Sequence, residues 1–314
     1  IYGSSHGPLV GVKIWGLPEG FELNQEKLQS FLDRRAPGKD ELSSSRREPD
    51  KVSIKSGLSD GKITGEIFVA EIENTDINDE DYENISYVPR PGHSDLAQFL
   101  KTGKILPGGG EFSGRMTAPM CIVGGILKQI LEDKGIEIKG EVFEIAGEFI
   151  EPKMIEKILE AKENKDSVGG VIQCVVEGLE AGVGGPTFER FEASIARTIF
   201  SIPSVKGLEF GSGFLGTKLP GSKNNDPFVF RDGKIETIGN NHGGILGGVT
   251  SGMPLIVRVA IKPTPSIPKL QHSVNLKTCE AVTLEIEGRH DPCIVPRAVA
   301  VVEAAVAIAV YDRL

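Results

Sequence analysis

The spacing of apolar and polar positions divides the chain into short extended segments and a few helical stripes. Residues 10–15, the region around 52–54 and residues 67–72 read as strands bounded by glycine, proline or polar turns. Asn24 stands as an N-cap before a helix whose Leu28, Phe31 and Leu32 fall on one face, ending at Arg34-Arg35 before Ala36-Pro37-Gly38. A helix is expected from about 120 to 133, strand-like segments at 136–145 and a solvated helix at 155–165. Residues 168–176 read as a buried strand whose Gly169-Gly170 predicts a bulge or close packing. Phe188, Phe191, Ile195 and Ile199 share the apolar face of a helix entered through the glycines of 182–186. After a clear strand at 255–261, the Ala/Val-rich segment from 295 to about 311 has few polar positions and predicts a buried helix. Strands and helices do not alternate as regular βαβ units, so α+β is favoured over a doubly wound sheet.

Composition narrows the class. The 314 residues suffice for a sizeable core, and no repeat or linker-like break divides them, so one domain spanning 1–314 is expected. With 35 basic against 44 acidic residues the net charge is −9 and no long basic run occurs, which argues against a nucleic-acid or anionic-membrane surface. No apolar run reaches the roughly 18 residues of a membrane span. Cys121, Cys174, Cys279 and Cys293 lie far apart in apolar contexts without CxxC, as buried thiols of a reducing cytoplasm would. The chain begins at Ile1, and a preceding segment is expected.

The candidate chemistry lies in the turns. Gly108-Gly109-Gly110 runs into Glu111-Phe112-Ser113-Gly114-Arg115-Met116-Thr117 just before an apolar helix. Close backbone approach at glycine, free N–H groups at a helix start, and Ser113, Arg115 and Thr117 as donors make a seat for an anion; a glycine turn with an ordinary N-cap is the structural alternative. Asn240-Asn241-His242 followed by Gly243-Gly244 and Gly247-Gly248 forms a second such loop, with amides suited to a heterocycle edge. Lys262-Pro263-Thr264-Pro265-Ser266 offers an ammonium and two hydroxyls on a stiff backbone, either a phosphate clamp or a strand-ending turn. Arg46-Arg47 occupies a polar loop, and Arg289-His290-Asp291 stands at the entrance of the last helix, charged groups that need partners or a ligand beside a core element. His6 and His93 sit in stiff turns, either as structural hydrogen-bonders or as proton carriers near neutrality.

The run Gly211-Ser212-Gly213-Phe214-Leu215-Gly216 matches G-x-G-x-x-G, but its continuation Leu219-Pro220-Gly221 is no dinucleotide helix. HExxH, CxxC and a P-loop are all absent from the sequence. The residues point to an enzyme that binds a polyanion and works by proton transfer and anion stabilisation, with any electron chemistry supplied by a cofactor.

These same residues resemble chorismate synthase. The resemblance rests on Ser5-His6-Gly7, Arg34-Arg35 with Pro37-Gly38, Ser56-Gly57 with Thr64-Gly65, and Pro91-Gly92-His93 with Asp95. It continues through the 108–117 segment, Ser201-Ile202-Pro203 with Val205-Lys206-Gly207, the 243–248 loop, the 262–267 loop and Gly288-Arg289-His290-Asp291-Pro292, collinear from 4 to about 311. The resemblance implies a lyase of the shikimate pathway that eliminates phosphate from 5-enolpyruvylshikimate 3-phosphate in a 1,4-anti sense, giving chorismate. It implies a requirement for reduced FMN, and for NADPH only if the enzyme reduces its own flavin, an external flavin reductase being the favoured supply. It further implies a cytoplasmic homotetramer and a single α+β domain with antiparallel β-sheets sandwiched between helices.

By the same resemblance His6, His93 and Asp291 are the catalytic positions. FMN contacts fall at Glu111, Phe112, Ser113, Pro203, Ser204, Gly247, Lys262, Pro263, Thr264, Pro265, Ser266 and Arg289, and Arg35 matches a position assigned to NADP or substrate. Arg34, Arg46 and Arg115 are the expected substrate cations. Pro107, Glu111 and Phe112 depart from the commoner family pattern and read as a subgroup difference, Glu41 stands where many relatives have an arginine linked to NADP and so weakens that assignment, and the chain is short at both ends and between about 146 and 167. The rival reading is a non-catalytic flavin- or phosphate-binding protein, for which two histidines and an aspartate would be unnecessary.

Overall fold

The computed structural model describes residues 1–38, 42, 48–75, 87–286, 288 and 290–314. Helices α1 (Gln25–Arg35), α2 (Asp95–Thr102), α3 (Thr117–Asp133), α4 (Glu151–Glu163) and α5 (Phe191–Ile199) are followed by two one-turn helices, α6 (Gly213–Gly216) and α7 (Gly221–Asn224), and by the long α8 (Val295–Tyr311). One four-stranded sheet runs in the order Tyr2–Gly3, Leu9–Ile14, Phe68–Glu73, Ser53–Ser56, and a second in the order Glu137–Ile145, Gly170–Glu177, Leu255–Ile261, Val205–Phe210. Every described strand pair is antiparallel.

The α+β class and the strand directions hold as expected. The layer order is the other way round from the expectation: α3 packs on the first sheet, α8 on the second, and the two helices pack on each other, so these helices lie between the sheets. The reason is compositional. Both helices are apolar around most of their circumference, and a helix of that kind must be covered on more than one side. The strand Leu255–Ile261 shows strict alternation, with Leu255, Val257, Val259 and Ile261 turned into the core and the residues between them half-buried.

Small residues set the spacing of the central layer. A Cβ on Gly124 would fall 2.2 Å from Ala304 Cβ and 2.3 Å from its Cα, so α3 and α8 touch with no space for a methyl group. Asn24 caps α1 as its side chain accepts from Lys27 N at 2.8 Å. Gly169 and Gly170 meet the predicted close packing: a Cβ at either would lie 2.3 Å or less from a carbonyl oxygen of a neighbouring strand, beside a register shift between Val142 and Glu144.

Several local expectations change. Phe188 is 89% exposed in the 3-10 turn Thr187–Glu189, and α5 begins only at Phe191, because the helical phase is reset by the extended residue Arg190. Helix α4 starts at Glu151 rather than near 155, with Pro152 in its first turn, where a missing N–H costs nothing. A helical turn does follow the strand Val205–Phe210, but it ends after four residues, which still excludes a dinucleotide helix. Cys121, Cys174 and Cys293 are buried as expected, whereas Cys279 is exposed in the loop joining the hairpin strands Leu270–Val274 and Ala281–Glu285.

The α3–α8 contact yields a direct test. Gly124→Ala is expected to destabilise the fold by about 1–3 kcal/mol, the usual cost of overpacking a tight core, read as a lowered denaturation midpoint, while Gly135→Ala, where the added Cβ meets nothing within 4 Å but the φ of +78° is strained, should cost less.

Candidate active site

The turn bearing His6 links the strands Tyr2–Gly3 and Leu9–Ile14 and leans on the glycine run. Gly108, Gly109 and Gly110 have φ of +59°, +81° and +54°, three successive left-handed residues that only glycine adopts readily. The run therefore turns sharply enough for His6 to lie against it, and a Cβ on Gly108 would sit 2.0 Å from His6 Cε1. The Ser5 hydroxyl donates to the Gly108 carbonyl at 3.2 Å, and the same oxygen lies 3.2 Å from His6 Nδ1. With its proton committed to that carbonyl, Ser5 accepts from Nδ1–H, and in the neutral ring Nε2 carries the lone pair.

The anion seat expected at Ser113, Arg115 and Thr117 is built differently. Arg115 is only 6% exposed and faces inward, with Nη1 on Asp50, Nε donating to Asn74 Oδ1 at 2.8 Å and Nη2 to the Glu73 carbonyl at 3.3 Å. Thr117 donates to the Gly114 carbonyl at 2.6 Å and accepts from Arg35 Nε at 3.0 Å. Arg35 also places Nη1 on Asp50, so one carboxylate joins two buried guanidiniums. Burial alone would push the Asp50 carboxyl up, but the two positive charges outweigh it and hold it below the ordinary carboxylate range. Ser113 accepts from Arg115 N at 3.3 Å.

Neighbouring Arg34 goes elsewhere. Its fork meets Glu303 of α8 at 2.8 and 2.7 Å, in a cluster with Lys128 and the Gly140 N–H. Asp291 accepts from Arg297 Nη1 at 2.5 Å, and Arg297 Nε donates to the Arg35 carbonyl at 3.0 Å. A continuous chain of contacts thus runs from Asp291 through Arg297, Arg35, Asp50, Arg115 and Asn74 to the carbonyls of Ser4 and Gly7 on either side of His6. Sequence reasoning missed Asp50 and Asn74.

His93 belongs to a second cluster. Arg90 grips Asp95 through Nε at 2.7 Å, Nη2 at 2.8 Å and its backbone N–H at 3.0 Å, which stiffens the turn before α2. His93 Nε2 lies 2.7 Å from Ser266 Oγ, and the Lys262 ammonium donates to the Gly92 carbonyl, joining this turn to the 262–266 loop. Lys262 N donates to the Ser204 carbonyl at 3.0 Å, where Ser204 holds a φ of +74°, unusual for a non-glycine residue. Burial, then the Arg90 charge, with Lys262 and His290 adding and Asp95 opposing, push His93 down to about 4, so it is neutral near pH 7. Gln98 of α2 donates to the Gly109 carbonyl at 3.1 Å and accepts from Leu106 N at 2.8 Å, tying the element after His93 to the glycine run beneath His6.

Among the remaining candidates, Gly247 has a φ of +64° with open space where a Cβ would be. Its loop is held by Asn240 and by Asn241, whose Nδ2 donates to Asp226 at 3.0 Å, so both amides are spent on the loop itself. Glu111 and Pro203 line a cavity of about 490 Å³ together with Tyr2, Met116, Met120 and Ser201. Thr264 Oγ1 is buried without a hydrogen-bond partner among the described residues. Arg46 and Arg289 lie outside the described residues.

A solved crystal structure of chorismate synthase matches this antiparallel α+β scaffold with a TM-score of 0.75 at 26% identity over 99% of this chain and 89% of that one. A family model described as Chorismate synthase matches residues 1–314. Chorismate synthases of Korarchaeum cryptofilum and Thermococcus kodakarensis are each 42% identical over 100% of this chain and 94% of theirs. The chain belongs to the chorismate synthase family.

Two outcomes follow from the charges. Between pH 6.5 and about 4 the unfolded chain binds a proton at residue 93 that the folded chain does not, so the fold loses stability as pH falls through that window. His93→Gln should flatten that dependence in urea-unfolding midpoints. Asp50→Asn keeps the shape but removes the anion that two buried guanidiniums share, Arg115 retaining Glu48 at 3.5 Å, and is expected to cost about 3–5 kcal/mol in the same assay.

Proposed function

We propose that this chain converts 5-enolpyruvylshikimate 3-phosphate to chorismate and phosphate, a carbon–oxygen lyase reaction of the shikimate pathway. The match of the family model to all of residues 1–314 carries the reading. In the reaction the C3–O bond to phosphate breaks, a C6 proton is lost, and the ring gains a conjugated double bond.

The residues present suit reduced FMN. Met116, Met120 and Pro203 give the cavity beside Glu111 an apolar lining for a flat ring, and the unpartnered Thr264 hydroxyl and the Lys262 ammonium suit an anionic tail. Phe112, Ser113, Ser204, Gly247, Pro263, Pro265, Ser266 and Arg289 complete the proposed set, with Arg35 near it. When bound, reduced flavin supplies electron density to the allylic system as phosphate departs and is regained each turnover.

The chain's own groups do the rest. His6, oriented by the Nδ1 contact to Ser5, takes up a proton at Nε2 to become the imidazolium and gives that proton to the departing phosphate. His93, kept neutral by burial and by Arg90 and held by Ser266, serves as a hydrogen-bonding partner near the cofactor rather than as a standing acid. Asp291, held by Arg297, acts in removal of the C6 proton. Arg46 is the proposed cation for the substrate anions, whereas Arg34 and Arg115, also expected there, spend their guanidiniums on Glu303 and on Asp50, Asn74 and the Glu73 carbonyl. One catalytic domain, a cytoplasmic homotetramer, and flavin reduced outside the chain complete the reading, with NADPH needed only if the chain reduces flavin itself.

Mixing protein, reduced FMN and the enolpyruvyl substrate without oxygen tests it by chorismate absorbance and released phosphate. His6→Ala and His93→Ala should each lower turnover about 10²–10⁴-fold, the usual scale for acid–base groups. Absence of product from the wild-type protein sinks the reading, and unchanged turnover in both variants removes the histidines from it.

A further inference from the structure

We propose that Asn74 is a positioning residue for His6, an inference that rests on the proposed part of His6 in the reaction. Asn74 follows the last residue of the strand Phe68–Glu73. Its Nδ2 donates to the carbonyl of Ser4 at 3.0 Å and to that of Gly7 at 2.7 Å, so one amide nitrogen spans the turn that presents His6. Its backbone N–H donates to the Pro8 carbonyl at 3.0 Å, just past the same turn. On the other side Oδ1 accepts from Arg115 Nε at 2.8 Å.

These partners fix which way the amide points. Turned over, it would aim N–H groups at a guanidinium and an oxygen at two carbonyls, losing every bond at once. The carboxamide therefore couples the backbone on both sides of His6 to a guanidinium that Asp50 in turn anchors. The glycine run supports the imidazole from below, while Asn74 sets how far the turn stands from that support. A displacement of roughly 1 Å at a reacting group can cost 10²-fold in rate, so a clamp of this kind acts on turnover more than on binding.

Aspartate separates the two halves of the amide. Asn74→Asp keeps an acceptor for Arg115 and removes both donors to the turn, and Asn74→Ser removes both halves with little change of bulk. Each variant is measured for kcat and KM in the anaerobic assay, for its thermal midpoint, and, without cofactor or substrate, by 13Cε1-histidine NMR, where His6→Ala identifies one of the five histidine signals. The expected result is a kcat lowered by about ten- to a hundredfold in both variants, a substrate KM changed far less, and a moved or broadened His6 signal with His93 and His242 unmoved. Wild-type kcat with an unmoved His6 signal in Asn74→Asp overturns the proposal, and so does loss of the fold in both variants. If His6→Ala keeps full turnover while Asn74→Asp still moves the His6 signal, the role of His6 in the reaction fails and the clamp stands.

Discussion

A single carboxylate constrains this molecule. Asp50 is 1% exposed and joins Arg35 from the end of α1 to Arg115 from the turn before α3. Guanidiniums cannot shed their protons, so burying two of them demands an anion that stays charged, and the pair of them in turn keeps that anion charged. Asp50 even holds a φ of +27°, a strained value for a residue with a side chain, which persists because both arginines dictate where its oxygens must lie. From this point Arg297 reaches out to Asp291 and Asn74 reaches out to the turn of His6. Segments separated by hundreds of residues are thereby held to one centre.

Glycine serves two different ends around that centre. At 108–110 it provides backbone angles that let the chain fold under an imidazole, which is a matter of conformation. At Gly124 it provides only the lack of a side chain, letting α3 and α8 approach until their backbones nearly meet. The first use shapes the site, and the second fixes the layer on which the site's turns are mounted. A high glycine content in a chain with this much regular structure reflects both demands.

Much of this was legible in the sequence, and the limits have physical causes. Helix α8 was readable because no other element tolerates so unbroken an apolar run, and α1 because Asn24 and the Leu28, Phe31, Leu32 stripe agree on its phase. Phe188 was misjudged because its spacing fits the helix that begins after it, and nothing local shows that Arg190 is extended. The arginine pair was read as a unit, yet successive helical residues point about 100° apart, so Arg34 finds Glu303 while Arg35 finds Asp50. His6 and His93 were visible as chemistry. Asp50 and Asn74 were not, since their partners lie 15 to 70 residues away and a polar residue in a loop carries no mark of burial.

The uneven treatment of the thiols has a practical side. Desolvation pushes Cys121 up to about 12 and Cys293 up to about 11 and raises Cys174 too, so these sulfurs stay protonated, enclosed and unreactive. Cys279 alone stands in solvent, on a hairpin whose Ser273 hydroxyl donates to the Pro89 carbonyl at 2.5 Å and whose Leu276 N–H donates to the Tyr87 carbonyl at 2.8 Å. A maleimide dye or nitroxide added to the unaltered protein would settle there, within one hairpin of the segment leading to His93. The native chain thus carries its own attachment point for watching that segment respond as ligands arrive.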